Sequence, residues 1–169
     1  MSTRRTVLAA AIALAFVACT DTPTATDTGD GLAFAKGGGP SATGSGHVVD
    51  NAGPNPGFRN FSFVAHSNGG QFQVVNRTFD VRLHGSVACV TVVGNQAWFA
   101  GTVTQSNFAN IPVGSIRAFT VVDNGEGKNH PPDQIANSVR LNTISAQDWC
   151  DFTPVRRLLD IEQGNIQVQ

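Results

Sequence analysis

Short runs in which apolar and polar side chains alternate are the feature that most constrains how this chain folds. Residues 79–84 read FDVRLH, and the runs at 61–65 and 71–74 show shorter versions of the same alternation. Successive side chains of a β-strand point to opposite faces, so a period of two predicts strands with one buried and one wet face. The pattern therefore predicts antiparallel β-structure.

The run at residues 87–93 is apolar at nearly every position, which predicts a central strand covered on both faces. Gly94-Asn95 follows it, a two-residue turn signal that predicts a hairpin between 87–93 and 96–104. Trp98 and Phe99 are adjacent in the second strand and point to opposite faces. We therefore expect both sides of this hairpin to be covered.

Further strands are predicted at residues 115–122 and 138–144, and a second hairpin joins 159–162 to 166–168 around Gly164-Asn165. The best helical candidate, residues 145–152, is too short to form a layer. With 18 Gly and 8 Pro in 169 residues, turns are frequent. The fold class predicted is all-β, a single antiparallel β-barrel or β-sandwich of about eight strands.

The N-terminus has the pattern of an export signal. Arg4 and Arg5 precede an apolar run at residues 7–18, which is shorter than the about 20 residues needed to span a membrane. The run ends in Phe16-Val17-Ala18-Cys19, which resembles the lipobox of bacterial lipoproteins. That resemblance implies a signal peptide at 1–18 and lipidation of Cys19. The alternative is ordinary secretion with cleavage near Ala15 or Ala18.

The residue after the cysteine is Thr20, not the aspartate that is the usual inner-membrane retention signal in that family. The resemblance therefore implies the outer membrane, the cell surface or the periplasm, with secretion as the alternative. The arginine pair also resembles a twin-arginine signal, which exports folded proteins.

Residues 19–46 are rich in Thr, Asp, Gly and Pro, which predicts a flexible tether with an r.m.s. reach of about 30 Å. The predicted β domain spans 47–169. Without Arg4 and Arg5 the chain keeps nine basic and twelve acidic residues, a net charge of −3. This balance argues against nucleic acid as a partner, and it leaves the lipid anchor as the only expected membrane contact.

Two cysteines remain once Cys19 is assigned to lipid. In an exported protein, Cys89 and Cys150 are expected to form a disulfide. A reactive thiol would need a basic neighbour, and the sequence identifies none.

The densest polar segment surrounds Asp123, Asn124, Glu126 and Asp133. These side chains supply the hard oxygen ligands that Ca²⁺ prefers, although their spacing differs from that of an EF-hand loop. The alternative is a plain turn at Asn124-Gly125. Otherwise the sequence predicts no cofactor, since the four histidines (His47, His66, His84 and His130) share no metal-ligand spacing.

Residues 61–134 carry a resemblance to a set of uncharacterised exported bacterial β-proteins. The segments involved are HGSVAC at 84–89, VVGNQA at 92–97, GTVT at 101–104, VDNGEG at 122–127 and PDQ at 132–134. The resemblance implies one folded β unit with a late cysteine near Cys150. It implies no activity.

The sequence contains no nucleophile elbow or phosphate-binding loop, so we assign no catalytic residues. We expect an exported, lipid-anchored envelope protein whose β domain has a non-enzymatic binding or structural role for an unknown ligand. The alternative is an enzyme with a site in a barrel mouth around His66, His84 and Asp80. That alternative requires the three side chains to converge in a cavity of several hundred Å³.

Overall fold

A computed structural model describes residues 39–50, 57–127, 129–136 and 139–169. The predicted signal peptide, Cys19 and most of the predicted tether lie outside these residues. Within them the chain forms ten strands and one short helix, whose bounds follow: β1 (Ser41–Asp50), β2 (Gly57–His66), β3 (Gly69–Asn76), β4 (Val81–Val93), β5 (Gln96–Ser106), β6 (Ile116–Val122), β7 (Gln134–Ala136), β8 (Val139–Leu141), α1 (Ala146–Phe152), β9 (Leu158–Asp160) and β10 (Gln163–Val168).

The strands form one continuous antiparallel sheet in the order β10-β1-β2-β3-β4-β5-β6-β7-β9, with β8 also paired to β6. The sheet curls into a half-barrel, and residues from β1 to β10 share one hydrophobic core inside the curl. The prediction of an all-β fold is confirmed. Of its two alternatives, the single curled sheet is nearer to a barrel.

The hairpin predicted at Gly94-Asn95 is confirmed. Val93 pairs with Gln96, and Gly94 has a φ of 61°, a left-handed conformation that glycine adopts without a steric penalty. The two strands joined by this turn, β4 and β5, lie in the middle of the sheet, as predicted.

The second predicted hairpin is wrong. Gly164 and Asn165 lie inside β10, which pairs with β1, whereas β9 pairs with β7. At Gly164, with a φ of 122°, a Cβ atom would collide with the carbonyl oxygen of Ser45. This glycine therefore permits two strands to approach closely and does not form a turn.

The predicted boundary between tether and domain is also corrected. Strand β1 begins at Ser41, so residues 41–46 belong to the sheet although their small polar side chains resemble a linker. Gly44 and Gly46 lie opposite Phe63 and Phe61, and a Cβ at either glycine would meet the neighbouring phenylalanine ring. Gly44 and Gly46 therefore leave room for the phenylalanine rings of β2 and do not mark a linker.

Two other strand predictions shift at their ends. Strand β4 begins at Val81, because Asp80 has a φ of 47° and Phe79 lies in the preceding turn with 47% of its surface exposed. In the stretch predicted at 138–144, the described part of the strand is β8, Val139–Leu141.

Phenylalanine rings in mutual contact occupy the centre of the core. The rings of Phe63 and Phe99 and those of Phe99 and Phe119 are each 4.7 Å apart, and Phe72 lies 5.0 Å from Phe119. These residues come from four strands. Aromatic contacts at this spacing hold the curled sheet together from within.

The outer face of the central strands is covered by α1. Trp98 contacts a second cluster with Trp149 and Cys150, while Phe99 belongs to the main core, so the prediction that both faces are covered there is confirmed. Helix α1 begins with a capping box in which Ser145 and Asp148 each accept a backbone N–H bond.

Cys89 and Cys150 form the predicted disulfide, with their Cα atoms 6.3 Å apart. It joins β4 to α1. A register shift between Val87 and Cys89 directs Cys89 outward to the helix while Val87 stays in the core.

We expect replacement of both cysteines by serine to lower the free energy of unfolding by about 4 kcal/mol, because the bond closes a loop of 61 residues in the unfolded chain. Urea unfolding of the variant and the oxidised protein measures the difference. Equal stabilities would contradict this expectation.

Candidate functional site

Toward one end of the half-barrel, the inward-facing side chains are arginines instead of apolar residues. On β6 the alternate residues Arg117, Phe119 and Val121 are buried, and Phe119 and Val121 are part of the core. On β2, Arg59 stands two residues before the core residue Phe61. The alternation that builds the core therefore directs arginine side chains into the same interior, as expected for strands with a period of two.

At this end the concave face of the half-barrel forms an open cavity of about 640 Å³. Its volume lies within the range of about 300 to 1,000 Å³ that is usual for small-molecule sites. The lining combines apolar side chains with one carboxylate, one amide and four guanidinium groups: Asp50, Arg59, Val74, Asn76, Phe79, Val81, Leu83, Phe108, Ile111, Arg117, Ala136, Val139, Val155, Arg156, Arg157 and Leu159.

Asp50, at the end of β1, is fully buried. Its Oδ2 accepts a hydrogen bond from Nη1 of Arg59 at 3.1 Å, and its Oδ1 lies 3.5 Å from Nη1 of Arg157. A buried carboxylate is stable only where cations and hydrogen bonds compensate for lost hydration. Asp50 thus positions two guanidinium groups from distant parts of the chain.

Arg117 is the most deeply buried arginine of the lining, with 7% of its surface exposed. Burial, and then the positive charges of Arg140 and Arg59, lower the pKa of Arg117 to about 10. The side chain therefore remains protonated at neutral pH, and its charge is held in a poorly hydrated site close to like charges.

The rim of the cavity includes the segment that follows α1. The indole N–H of Trp98 donates to the carbonyl oxygen of Pro154 at 3.0 Å, and the Arg156 guanidinium stacks 5.5 Å from the ring centre of Trp149. These contacts place Arg156 and Arg157 at the mouth. Phe79 and Val155 add exposed apolar surface there.

Positive charge is concentrated in this cavity. The described residues contain seven arginines and nine carboxylates, yet four of these arginines and only one of these carboxylates line the cavity. A low-dielectric cleft lined by one sign of charge attracts counter-ions. The cavity thus favours anions on a chain whose overall charge is negative.

The residue set for the enzyme alternative is wrong. His66, His84 and Asp80 are all exposed, and none of them lines the cavity. His84 faces solvent on β4, and His66 lies at the last position of β2, which pairs with the first position of β1. Of the other histidines, His130 is exposed and His47 is half-buried beside Glu162, at 3.2 Å.

The acidic segment lies at the closure of the sheet. The Oδ1 of Asp133 accepts the backbone N–H of Asn124 at 2.8 Å, and its Oδ2 accepts that of Ile166 at 2.7 Å. The Oδ2 of Asp123 accepts the N–H of Val168 at 3.0 Å. These carboxylates therefore bind the edge of β10 that faces away from β1.

The other predicted calcium ligands also have partners. Oε1 of Glu126 accepts the side-chain amide of Asn165 at 2.8 Å, and the Asn124 side chain donates to the Pro132 carbonyl at 2.7 Å. Within the described ranges, which omit Lys128 of this segment, no three His, Cys, Asp or Glu side chains are grouped to hold a metal ion. The calcium site stays a prediction.

The cavity arginines were missed by sequence reasoning that concentrated on acids and histidines. One signal was present, because Arg59 and Arg117 occupy positions that continue the apolar alternation of their strands. A charge at such a position faces the interior. Nothing in the local sequence, however, indicates that Asp50 and Arg157 meet.

No protein-family model, curated protein or solved structure matches this chain significantly. Among the residues that the structure describes, no helix is both long and apolar enough to cross a membrane.

We expect Asp133→Ala to lower the free energy of unfolding by about 2 to 4 kcal/mol, because the buried N–H of Ile166 and the half-buried N–H of Asn124 lose a charged acceptor. Asp151→Ala is the matched control, since Asp151 is exposed on α1, where its Oδ1 accepts the side-chain amide of Gln147 at 2.8 Å. Urea unfolding measures both variants. Equal losses would contradict a role for Asp133 in closing the sheet.

Proposed function

We propose that this protein is an exported, lipid-anchored binding protein of the cell envelope that takes a small molecule into the cavity of its half-barrel. The cavity carries the proposal. It combines apolar walls with a few convergent polar groups, which is the usual composition of a small-molecule site.

Two independent observations support export. The N-terminal run with its lipobox-like end has the pattern of a lipoprotein signal. The Cys89–Cys150 disulfide joins parts of the folded domain, and structural disulfides persist in oxidising compartments outside the cytoplasm.

A binding role is favoured over catalysis by the chemistry of the cavity. Its lining within the described residues contains no His, Ser, Cys or Glu. Asp50 is held by two guanidinium groups, so it is poorly suited to accept a proton from a substrate. Arginines and apolar side chains bind and orient ligands well.

We expect the mature protein extracted from membranes to begin at Cys19 and to exceed the mass of that chain by a diacylglyceryl group and one acyl chain. Intact-mass spectrometry makes the measurement, with Cys19→Ser as the control that cannot be modified. An unmodified mass for the wild-type protein would refute lipid anchoring and leave ordinary secretion.

We expect the purified protein to bind one equivalent of N-phenyl-1-naphthylamine, an uncharged apolar dye whose fluorescence rises on leaving water. Ala136→Phe should weaken binding by about tenfold or more, because Ala136 lines the cavity and a phenyl group would fill it. Ala88→Phe is the control, since Ala88 is exposed on β4 and does not line the cavity.

Melting temperatures establish that each variant is folded. Ile111→Trp, a half-buried position of the same lining, provides a second cavity-filling variant if Ala136→Phe does not fold. Absence of saturable binding by the wild-type protein, or equal binding by folded cavity-filled variants, would show that the cavity is not a ligand site.

A further inference from the structure

The arginines of the cavity point to the chemistry of its occupant. We propose that the ligand is a small anionic amphiphile, whose carboxylate or phosphate group is held by the arginines while its apolar body fills the cavity. This inference rests on the proposed function and adds the class of ligand.

The excess positive charge supports an anionic group. Asp50 is the one carboxylate of the described lining, and guanidinium groups of Arg59 and Arg157 contact it. Arg117 and Arg156 line the same cavity, which gives its described lining a formal charge of +3. Guanidinium groups bind carboxylate and phosphate oxygens through paired N–H donors.

The depth of Arg117 indicates where the anionic group goes. Its side chain is buried on β6, next in the inward series to Phe119 of the aromatic core. Burial and neighbouring positive charges both disfavour its charged form. An anion beside Arg117 would offset both effects, since an opposite charge is strongest as a partner where water is excluded.

The walls support an apolar body for the same ligand. Val74, Leu83, Phe108 and Ile111 line the cavity, and Phe79 and Val155 extend the apolar surface to the exposed mouth. A purely ionic ligand would leave this surface in contact with water. An amphiphile covers it and gains the free energy of removing apolar area from water.

Competition against bound N-phenyl-1-naphthylamine tests the inference with three probes of equal chain length: dodecanoate, dodecyl phosphate and dodecanol. The two anions are used below their critical micelle concentrations and the alcohol below its solubility limit. We expect at least one anion to displace the dye at about 10- to 100-fold lower concentration than the alcohol, since hydrogen bonds to charged groups are stronger. The tighter of the two anions identifies the head group as carboxylate or phosphate.

Arg117→Gln should reduce this preference for the anion, because the anionic group is placed beside Arg117. The double variant Arg156→Gln with Arg157→Gln, at exposed positions of the same lining, should reduce it as well and provides a second test if Arg117→Gln does not fold. The dye affinity of each variant is measured first, so that displacement by the anion and by the alcohol is compared within the same variant. Arg82→Gln is the matched control, since Arg82 is exposed, pairs with Asp80 and does not line the cavity. Its preference for the anion should equal that of the wild type.

The outcomes separate the two proposals. Dye binding without preference for either anion over dodecanol overturns this inference and leaves the proposed function standing. An unchanged preference in the folded cavity variants also overturns it, and so does an equal loss in these variants and in Arg82→Gln, because the attraction would then come from overall charge. Absence of dye binding overturns the proposed function itself.

Discussion

The architecture depends on hydrogen bonds to the backbone N–H groups of β10 that do not pair with another strand. One side of β10 pairs with β1, and the other side presents backbone N–H groups to no further strand in the described sheet. Asp123 and Asp133 accept those N–H groups at Val168 and Ile166 and thereby replace a ladder of backbone hydrogen bonds. Unpaired buried donors are strongly unfavourable. Two carboxylates thus hold the curled sheet in its half-barrel shape.

The interior of the curled sheet has an apolar, packed part and a cavity that is lined partly by charged side chains. Where phenylalanines from four strands meet, the interior is closely packed. Toward the other end, Arg59, Arg117 and Asp50 line an open cavity instead of a packed core. A buried ion pair between such groups contributes little net stability compared with apolar packing.

The fold class and the site differ in how far local sequence determines them. The strands were predictable from the alternation of neighbouring residues, and the central hairpin from the turn signal at Gly94-Asn95. The disulfide was predictable because two cysteines remained after Cys19 was assigned to lipid. Gly164 was misinterpreted because glycine serves close strand approach as well as turns. The cavity was not predictable, since it requires Asp50 and Arg157, 107 residues apart, to meet.

The disulfide has a consequence for when the cavity becomes complete. Cys150 fixes α1 to β4 on the outer face, and the chain leaving α1 supplies Arg156 and Arg157 to the mouth on its way to β9. A newly made chain with reduced thiols lacks that covalent link, so its mouth is held only by weaker contacts such as Trp98 to Pro154. For the exported protein proposed above, formation of the disulfide is then the step that completes the mouth of the cavity, and it would take place after export.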